Sequence, residues 1–454
     1  MKKLLGEEEK SNAIQKLKDE YIANNQITKE QYNKYGVKRG LRNEDGTGVM
    51  AGLTRVCRVH GYLVEDGEKI PDKGRLIYRG IDIDDIVTGC MKSDRYSFEE
   101  TIWLLIFGNL PNQKQYDTLN EILYKNRELP DFFPEDVIMK NPSKDIMNKL
   151  ARSVLTLYSY DDNADDLSIE NNIRQSLSLI ARLPTIMTYS YQVKRRYYDK
   201  EAMTFHPLNP SHSTAEAILN SIRDDGFTKE EARLLDMCLT LHAEHGGGNN
   251  STFTTRVLTS SDTDIYSTIA GGIGSLKGFK HGGANRKVDE MMADIMENVK
   301  DWSNDEEIAS YLEKIVRKQV GDKSGLIYGM GHAIYTISDP RAIILKEHAK
   351  KLAVEKGYAQ RFDLYERIEK LSPEVFAKVK DNGKVICANV DFYSGMVYEM
   401  LGIPHDLFTP LFAVARIAGW CAHRLEEMTN GGRIIRPAYR ALPAKLKYIE
   451  MEQR

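Results

Sequence analysis

The chain has 454 residues, 41% of them hydrophobic and 28% charged, a balance that excludes wholesale disorder and is long enough for two or more domains or one large domain with an insertion. A formal net charge of −3, with an isoelectric point near 6.4, gives no electrostatic case for nucleic acid or an anionic membrane as the main partner. The five cysteines, Cys57, Cys90, Cys238, Cys387 and Cys421, are isolated and never paired as C-x-x-C, which argues against a disulfide framework or zinc knuckle and fits a reducing compartment.

Residues 1 to about 40 are rich in Lys, Glu, Asn and Gln, with a thin apolar stripe at Ile14, Leu17 and Tyr21 and a capping box at Thr28-Lys29-Glu30-Gln31; two short, mostly solvated helices are expected. The N-terminus turns acidic at Glu7-Glu8-Glu9 before a signal-peptide apolar region can form, and no apolar run approaches the roughly 20 residues that span a bilayer, so the expectation is a cytoplasmic protein without a membrane partner. From Val56 to Arg79 the pattern alternates, with turn signals at Gly67 and Pro71-Asp72-Lys73-Gly74, and predicts a β-hairpin that is the only sheet of note. Helical patterning follows. Ser97-Phe98-Glu99-Glu100 reads as a capping box opening a helix with Phe98, Ile102, Leu105 and Ile106 on one face, closed by Gly108 and Pro111. Further starts are expected at Thr228, at Ser303 and at Ser372-Pro373-Glu374, so the fold class is all-α.

Several segments carry chemistry. His242 and His245 are three apart with Glu244 between them, but the pattern is not H-E-x-x-H and no third ligand is near, so a metal site is not expected there; the glycines after His245 should end its helix and leave it facing a cleft. Gly271-Gly272-Ile273-Gly274-Ser275 fits no phosphate loop and reads as a close helix–helix approach, suited to a dimer seam. His281 is followed by Gly282-Gly283, which leaves its imidazole uncovered. Asp339-Pro340-Arg341 reads as N-cap, first-turn proline and second helical position, a start that suits a carboxylate or phosphate. Arg416 lies one turn from Phe412 and from Trp420 on an otherwise apolar helix, so its charge must be buried with a partner or line a cavity; Arg436 is a weaker anion clamp of the same kind. Asp391 follows the apolar run Val385–Val390 and precedes Phe392-Tyr393; such an acid is either a helix N-cap or a desolvated base. Histidines, arginines and one desolvated acid together suit a small di- or tricarboxylate and proton removal from carbon beside a polarised carbonyl.

The segments Gly278–Asn285, Gly329–Arg341, Asn389–Gly395 and Phe412–Trp420, in this order and with Tyr78-Arg79-Gly80-Ile81 and Phe98-Glu99-Glu100 ahead of them, resemble citrate synthases over about residues 45 to 445. The resemblance implies a two-domain helical homodimer: an N-terminal extension at 1–44, a large dimer-forming domain from 45–285 and 389–454, and a small domain at 286–388 that closes over the substrates. It implies condensation of acetyl-CoA with oxaloacetate and water to citrate and CoA, the entry step of the tricarboxylic acid cycle, with acetyl-CoA as co-substrate and neither a tightly bound cofactor nor a metal. Asp391 is implied as the base, His281 as donor to the enolate oxygen and His332 as donor to the oxaloacetate carbonyl; His245, Arg341, Phe412 and Arg416 as oxaloacetate-binding residues; and Arg436 as an arginine delivered across the dimer interface. Lys384 and Arg55 match positions that can meet CoA phosphates. The chain departs from the family at Thr336, where relatives commonly carry Arg or Lys, and at Phe279-Lys280, where a Pro is usual two residues before His281. The same motifs occur in 2-methylcitrate synthases, which use propionyl-CoA; one methylene in an acyl pocket is worth only about 1–3 kcal/mol. Two rivals lie outside this family, a non-catalytic dicarboxylate-binding dimer, against which Asp391 argues, and a metal hydrolase built on His242 and His245.

Overall fold

The computed structural model describes residues 7–43, 46–65, 68–380, 385–443 and 445–454, which fall into two compact units, Met1–Ala51 and Gly52–Arg454. The first unit holds α1 (Glu7–Asn24) and α2 (Lys29–Lys34), both solvated, and Thr28 caps α2 in the expected reciprocal box with Gln31.

The second unit opens with a three-stranded antiparallel sheet, β1 (Cys57–Glu65), β2 (Glu68–Tyr78) and the short β3 (Ile81–Asp82). Pro71–Gly74 is not a second turn: His60 pairs with Arg75 and Tyr62 with Pro71, so Asp72-Lys73-Gly74 swell out of β2 opposite Gly61 as a bulge. Helices follow: α3 (Ile83–Lys92), α4 (Phe98–Phe107), α5 (Gln113–Asn126), α6 (Ile146–Leu157), α7 (Ile169–Lys194), α8 (Thr214–Ile222) and α9 (Lys229–His242). The remainder are α10 (Asn250–Thr259), α11 (Ile265–Leu276), α12 (Ala284–Asn298), α13 (Asp305–Val316), α14 (Pro340–Glu355), α15 (Ala359–Lys380), α16 (Val390–Met400) and α17 (Phe408–Asn430). The all-α expectation holds.

The packing hub is α17. From Pro410 to Leu425 every residue is buried, as expected of a helix apolar on all sides, and it packs against α4, α7, α9, α10 and α11. Gly271 and Gly272 on α11 serve this packing within the chain, since side chains there would meet Leu258 of α10 and Trp420 of α17.

Three helix boundaries differ from the sequence expectation. Ser97 makes no cap with Glu100; the buried Asp236 carboxylate of α9 accepts from the Ser97 and Phe98 amides and from the Ser97 hydroxyl, so a distant residue caps α4. Asn304 rather than Ser303 caps α13. Ser372-Pro373 starts nothing: both lie inside α15, where the Ser372 hydroxyl donates to the Ile368 carbonyl and burial of Ile368, Ser372 and Val375 carries the helix through the proline.

Candidate active site

Two histidines approach the site with opposite tautomers, and in each case the main chain sets the choice. His281 sits in the turn between α11 and α12. Gly282 closes this turn by donating to the Leu276 carbonyl at 2.9 Å, which a Cβ at 282 would approach to 2.3 Å. The His281 imidazole therefore points its Nε2 at the start of α10, within 3.4 Å of the Ser251 amide and 3.0 Å of its hydroxyl. An amide can only donate, so Nε2 accepts and the proton of neutral His281 is on Nδ1. Burial, reinforced by the Arg416 charge, pushes its pKa down to about 4, which keeps the ring neutral at physiological pH.

His332 lies in the loop before α14. Its Nδ1 accepts from the Ile334 and Tyr335 amides at 3.0 and 3.1 Å, so its proton is on Nε2. The loop bends at Gly329 and Gly331, both at positive φ, and Gly329 lies so close to Phe392 that a Cβ would come within 2.7 Å of that ring. It is zipped to the approach of α16: the Gly331 amide donates to the Cys387 carbonyl, the Asn389 amide to the Gly329 carbonyl and Asn389 Nδ2 to the Gly331 carbonyl, at 2.7–3.0 Å. From the other side the hairpin braces the loop, because Gly61 and Gly74 let β1 and β2 reach the main chain of residues 334–338 and Thr336 Oγ1 donates to the Gly61 carbonyl.

Asp391 is not the N-cap of α16. Asn389 is, accepting from the Asp391 amide at 3.0 Å, and no hydrogen bond reaches the Asp391 carboxylate from the described residues. Burial pushes its pKa up to about 6, against the attraction of Arg341, with Asp339 raising it further and Arg416 lowering it.

Arg416 is fully buried on α17. Its Nε donates to the His242 carbonyl at 2.7 Å and its guanidinium lies 4.7 Å from the centre of the Phe412 ring, but Nη1 and Nη2 have no hydrogen-bond partner among the described residues. Two orphaned donors on a buried cation are costly unless an anion fills the space in front of them. Arg341, also buried, is held bidentately by its own cap Asp339 at 2.7 and 3.0 Å and lies beside the Tyr335 ring. The Arg341 charge is thus paired inside the protein, by the carboxylate that caps its own helix.

His245 is buried with its Nε2 3.2 Å from Tyr335 Oη and its ring edge-on to His332 at 5.1 Å; burial and the Arg341 charge hold it neutral. The helix ends at His242, before the glycines, so the two histidines do not share a helical face. His242 instead donates from Nδ1 to the Cys238 carbonyl and packs edge-on against Phe412, an orienting role. Phe412 also faces His281, with ring centres 6.5 Å apart.

The chain therefore brings His242, His245, His281, His332, Arg341, Asp391, Phe412 and Arg416 together through shared contacts and mutual charge effects. It does not bring in Arg436, exposed on the C-terminal segment, or Arg55, whose side chain is exposed while its amide donates to Glu426. Lys384 lies outside the described residues. Lys280 is exposed. Residues missed at the sequence level are Ser251, Asn389 and Tyr335, and the role of the buried Glu244, which holds His423 at 2.9 Å and is the charge that acts most strongly on Arg416. Glu244 had a signal in its place between His242 and His245; Tyr335 carries none.

A family profile described as "Citrate synthase, C-terminal domain" matches residues 44–438. Curated relatives include citrate synthase 2 of Bacillus subtilis, 35% identical over 84% of this chain and 93% of its own length. The 2-methylcitrate synthase of Shewanella oneidensis is 31% identical over 80% and 87%. Among solved structures, citrate synthase from Pyrobaculum aerophilum superposes with a TM-score of 0.73 at 29% identity over 89% of this chain and 94% of that one. The citrate synthase of Thermoplasma acidophilum, solved as a ternary complex with carboxymethyl coenzyme A and oxaloacetate, has the same TM-score at 28% identity, covering 89% of this chain and 97% of that one.

Proposed function

The chain belongs to the citrate synthase family, and on that premise we propose that these residues condense acetyl-CoA with oxaloacetate and water to give citrate and CoA. The observation that carries the reading is the pair of neutral histidines with main-chain-fixed N–H donors beside an acid whose pKa lies near 6.

One carboxylate of oxaloacetate fills the space before Arg416 Nη1 and Nη2, with Arg341 and His245 as further donors and Phe412 as the apolar wall. His332 Nε2–H donates to the oxaloacetate carbonyl and polarises it. Asp391, ionised above about pH 6, takes a proton from the methyl group of acetyl-CoA, while His281 Nδ1–H donates to the thioester oxygen as it gains enolate charge. A neutral imidazole suits this step because the enolate is stabilised by hydrogen bonding from a fixed donor. The enol carbon attacks the polarised carbonyl, giving citryl-CoA, and water cleaves the thioester.

Arg55 and Lys384 are the proposed CoA phosphate contacts. Arg436 reaches the pocket of a partner subunit in a homodimer, which accords with its exposure here and with the exposed Ile434, Tyr439, Leu446 and Tyr448 along the same segment. Residues 286–388 form the closing domain, and the enzyme works in the cytoplasm at the entry to the tricarboxylic acid cycle. No helix among the described residues is long and apolar enough to cross a membrane.

The test is release of free CoA thiol on mixing protein with oxaloacetate and either acetyl-CoA or propionyl-CoA. A higher kcat/KM with acetyl-CoA supports the proposal. Preference for propionyl-CoA moves the assignment to 2-methylcitrate synthesis, the activity named for the Shewanella relative, and release with neither refutes both.

A further inference from the structure

Outside this site, Asp289 of α12, Glu399 near the end of α16 and His405 in the turn before α17 converge so that one ligand atom of each lies within 4.8 Å of the others. Asp289 is 7% exposed, yet neither carboxylate oxygen accepts a hydrogen bond from the described residues. Its position is built in: Gly395 of α16 carries no side chain where a Cβ would lie 2.4 Å from Asp289 Oδ1, so the carboxylate presses directly on the helix. The exposed His405 ring, leaning on Phe408, places Nδ1 3.4 Å from Asp289 Oδ2 and Nε2 3.4 Å from Glu399 Oε1. These separations exceed a good N–H···O hydrogen bond. They involve opposite nitrogens of one ring, so only one of them can be an edge of a coordination sphere, where it matches the about 3.3–3.5 Å between neighbouring ligands around a tetrahedral ion; the third ligand atom lies within 4.8 Å and closes in on binding. Arg361 pairs with Glu399, and burial together with the Glu399 charge pushes the Asp289 carboxyl up to about 7.

We propose that Asp289, Glu399 and His405 form a divalent transition-metal site, with one imidazole nitrogen and a carboxylate oxygen from each acid as ligands. The nitrogen ligand favours Zn²⁺, Co²⁺ or Ni²⁺ over Mg²⁺ and Ca²⁺, which prefer all-oxygen shells. Exposure of His405 leaves an entry path and room for water to complete the coordination. The bound ion joins α12 to the far end of α16, the helix that carries Asp391 in its first turn, and to the turn that leads into α17, and so fixes the relation between three elements on which the site depends.

The test uses the full-length chain, stripped with a chelator and titrated with Co²⁺ alone. We expect one saturable equivalent per chain with ligand-field bands in the visible. His405→Ala and Asp289→Ala should each weaken binding at least about tenfold, a loss that removing even an outer partner of a ligand can cause. His405→Ala changes an exposed side chain, so it should keep the native circular dichroism spectrum and the metal-free rate of CoA release. Lack of a saturable equivalent, affinity unaltered in folded His405→Ala, or Mg²⁺ binding as tightly as Co²⁺ would each overturn the assignment.

Discussion

Asp391→Asn should give a protein that is more stable than the wild type and nearly inert. The carboxylate's ordinary pKa of 3.8 is pushed up to about 6 in the folded chain. Below pH 3.8 both states hold the proton and the group contributes nothing. Between 3.8 and 6 the unfolded chain ionises while the folded one does not, so stability falls as pH rises; above 6 the penalty levels off. A shift of about 2.2 units corresponds to about 3 kcal/mol at neutral pH and about 1.6 kcal/mol at pH 5. Asparagine has nearly the same shape and cannot ionise, so the variant should gain these amounts, with the advantage vanishing toward pH 4. Paired urea titrations at several pH values measure this, because other titrating groups cancel in the difference. Turnover should fall on the order of 10²–10⁴-fold or more with loss of the base. A stability difference that stays flat with pH, or a variant that is less stable at neutral pH, would refute the claim that this acid is held desolvated, and near-normal turnover would refute its role as base.

Arg416→Met should raise the oxaloacetate dissociation constant about 100-fold, the loss of charge-assisted hydrogen bonds worth about 3 kcal/mol; calorimetry with oxaloacetate alone checks it, and an unchanged constant counts against the carboxylate subsite. His332→Ala should lower kcat on the order of 10²–10³-fold, as removal of one fixed donor to a developing oxyanion does, with a smaller effect on oxaloacetate binding; steady-state kinetics beside binding measurements separate the two. Gly74→Ala puts a Cβ 1.9 Å from the Ser338 carbonyl. It should destabilise the chain by about 1–3 kcal/mol and lower kcat/KM by shifting the His332 loop, so a chemical denaturation midpoint and rate equal to wild type would refute the brace.

Local chemistry was legible where it was self-contained. The Thr28 box, the Asp339-Pro340 start and the left-handed Gly108 stop each depend on residues within one turn, and each appears as read. Arg416 was legible because an ionic group in an apolar helix has few physical outcomes. What failed depends on distant partners. Asp236 captures the amides that Ser97-x-x-Glu100 was expected to satisfy, from 139 residues away in the case of Ser97. Asn389 takes the cap that Asp391 could have taken, which leaves the acid's carboxylate without a hydrogen bond from the described residues. Arg436 was legible only as a weak anion clamp, and its place at a partner's site rests on family likeness, since it is exposed on its own chain.

The tautomers of His281 and His332 have a consequence for how far such a sequence can drift. The amides of Ser251, Ile334 and Tyr335 belong to the backbone, so exchanging the side chains at those positions leaves each imidazole proton where it is. Proline is the exception, because it alone removes the amide. The chemistry is thereby buffered against ordinary substitution in its surroundings and vulnerable chiefly to changes that move or delete main chain, such as insertions in the 329–338 loop. A lineage can exchange most of its residues, as the 35% identity to the Bacillus relative illustrates, and still inherit the same two donors.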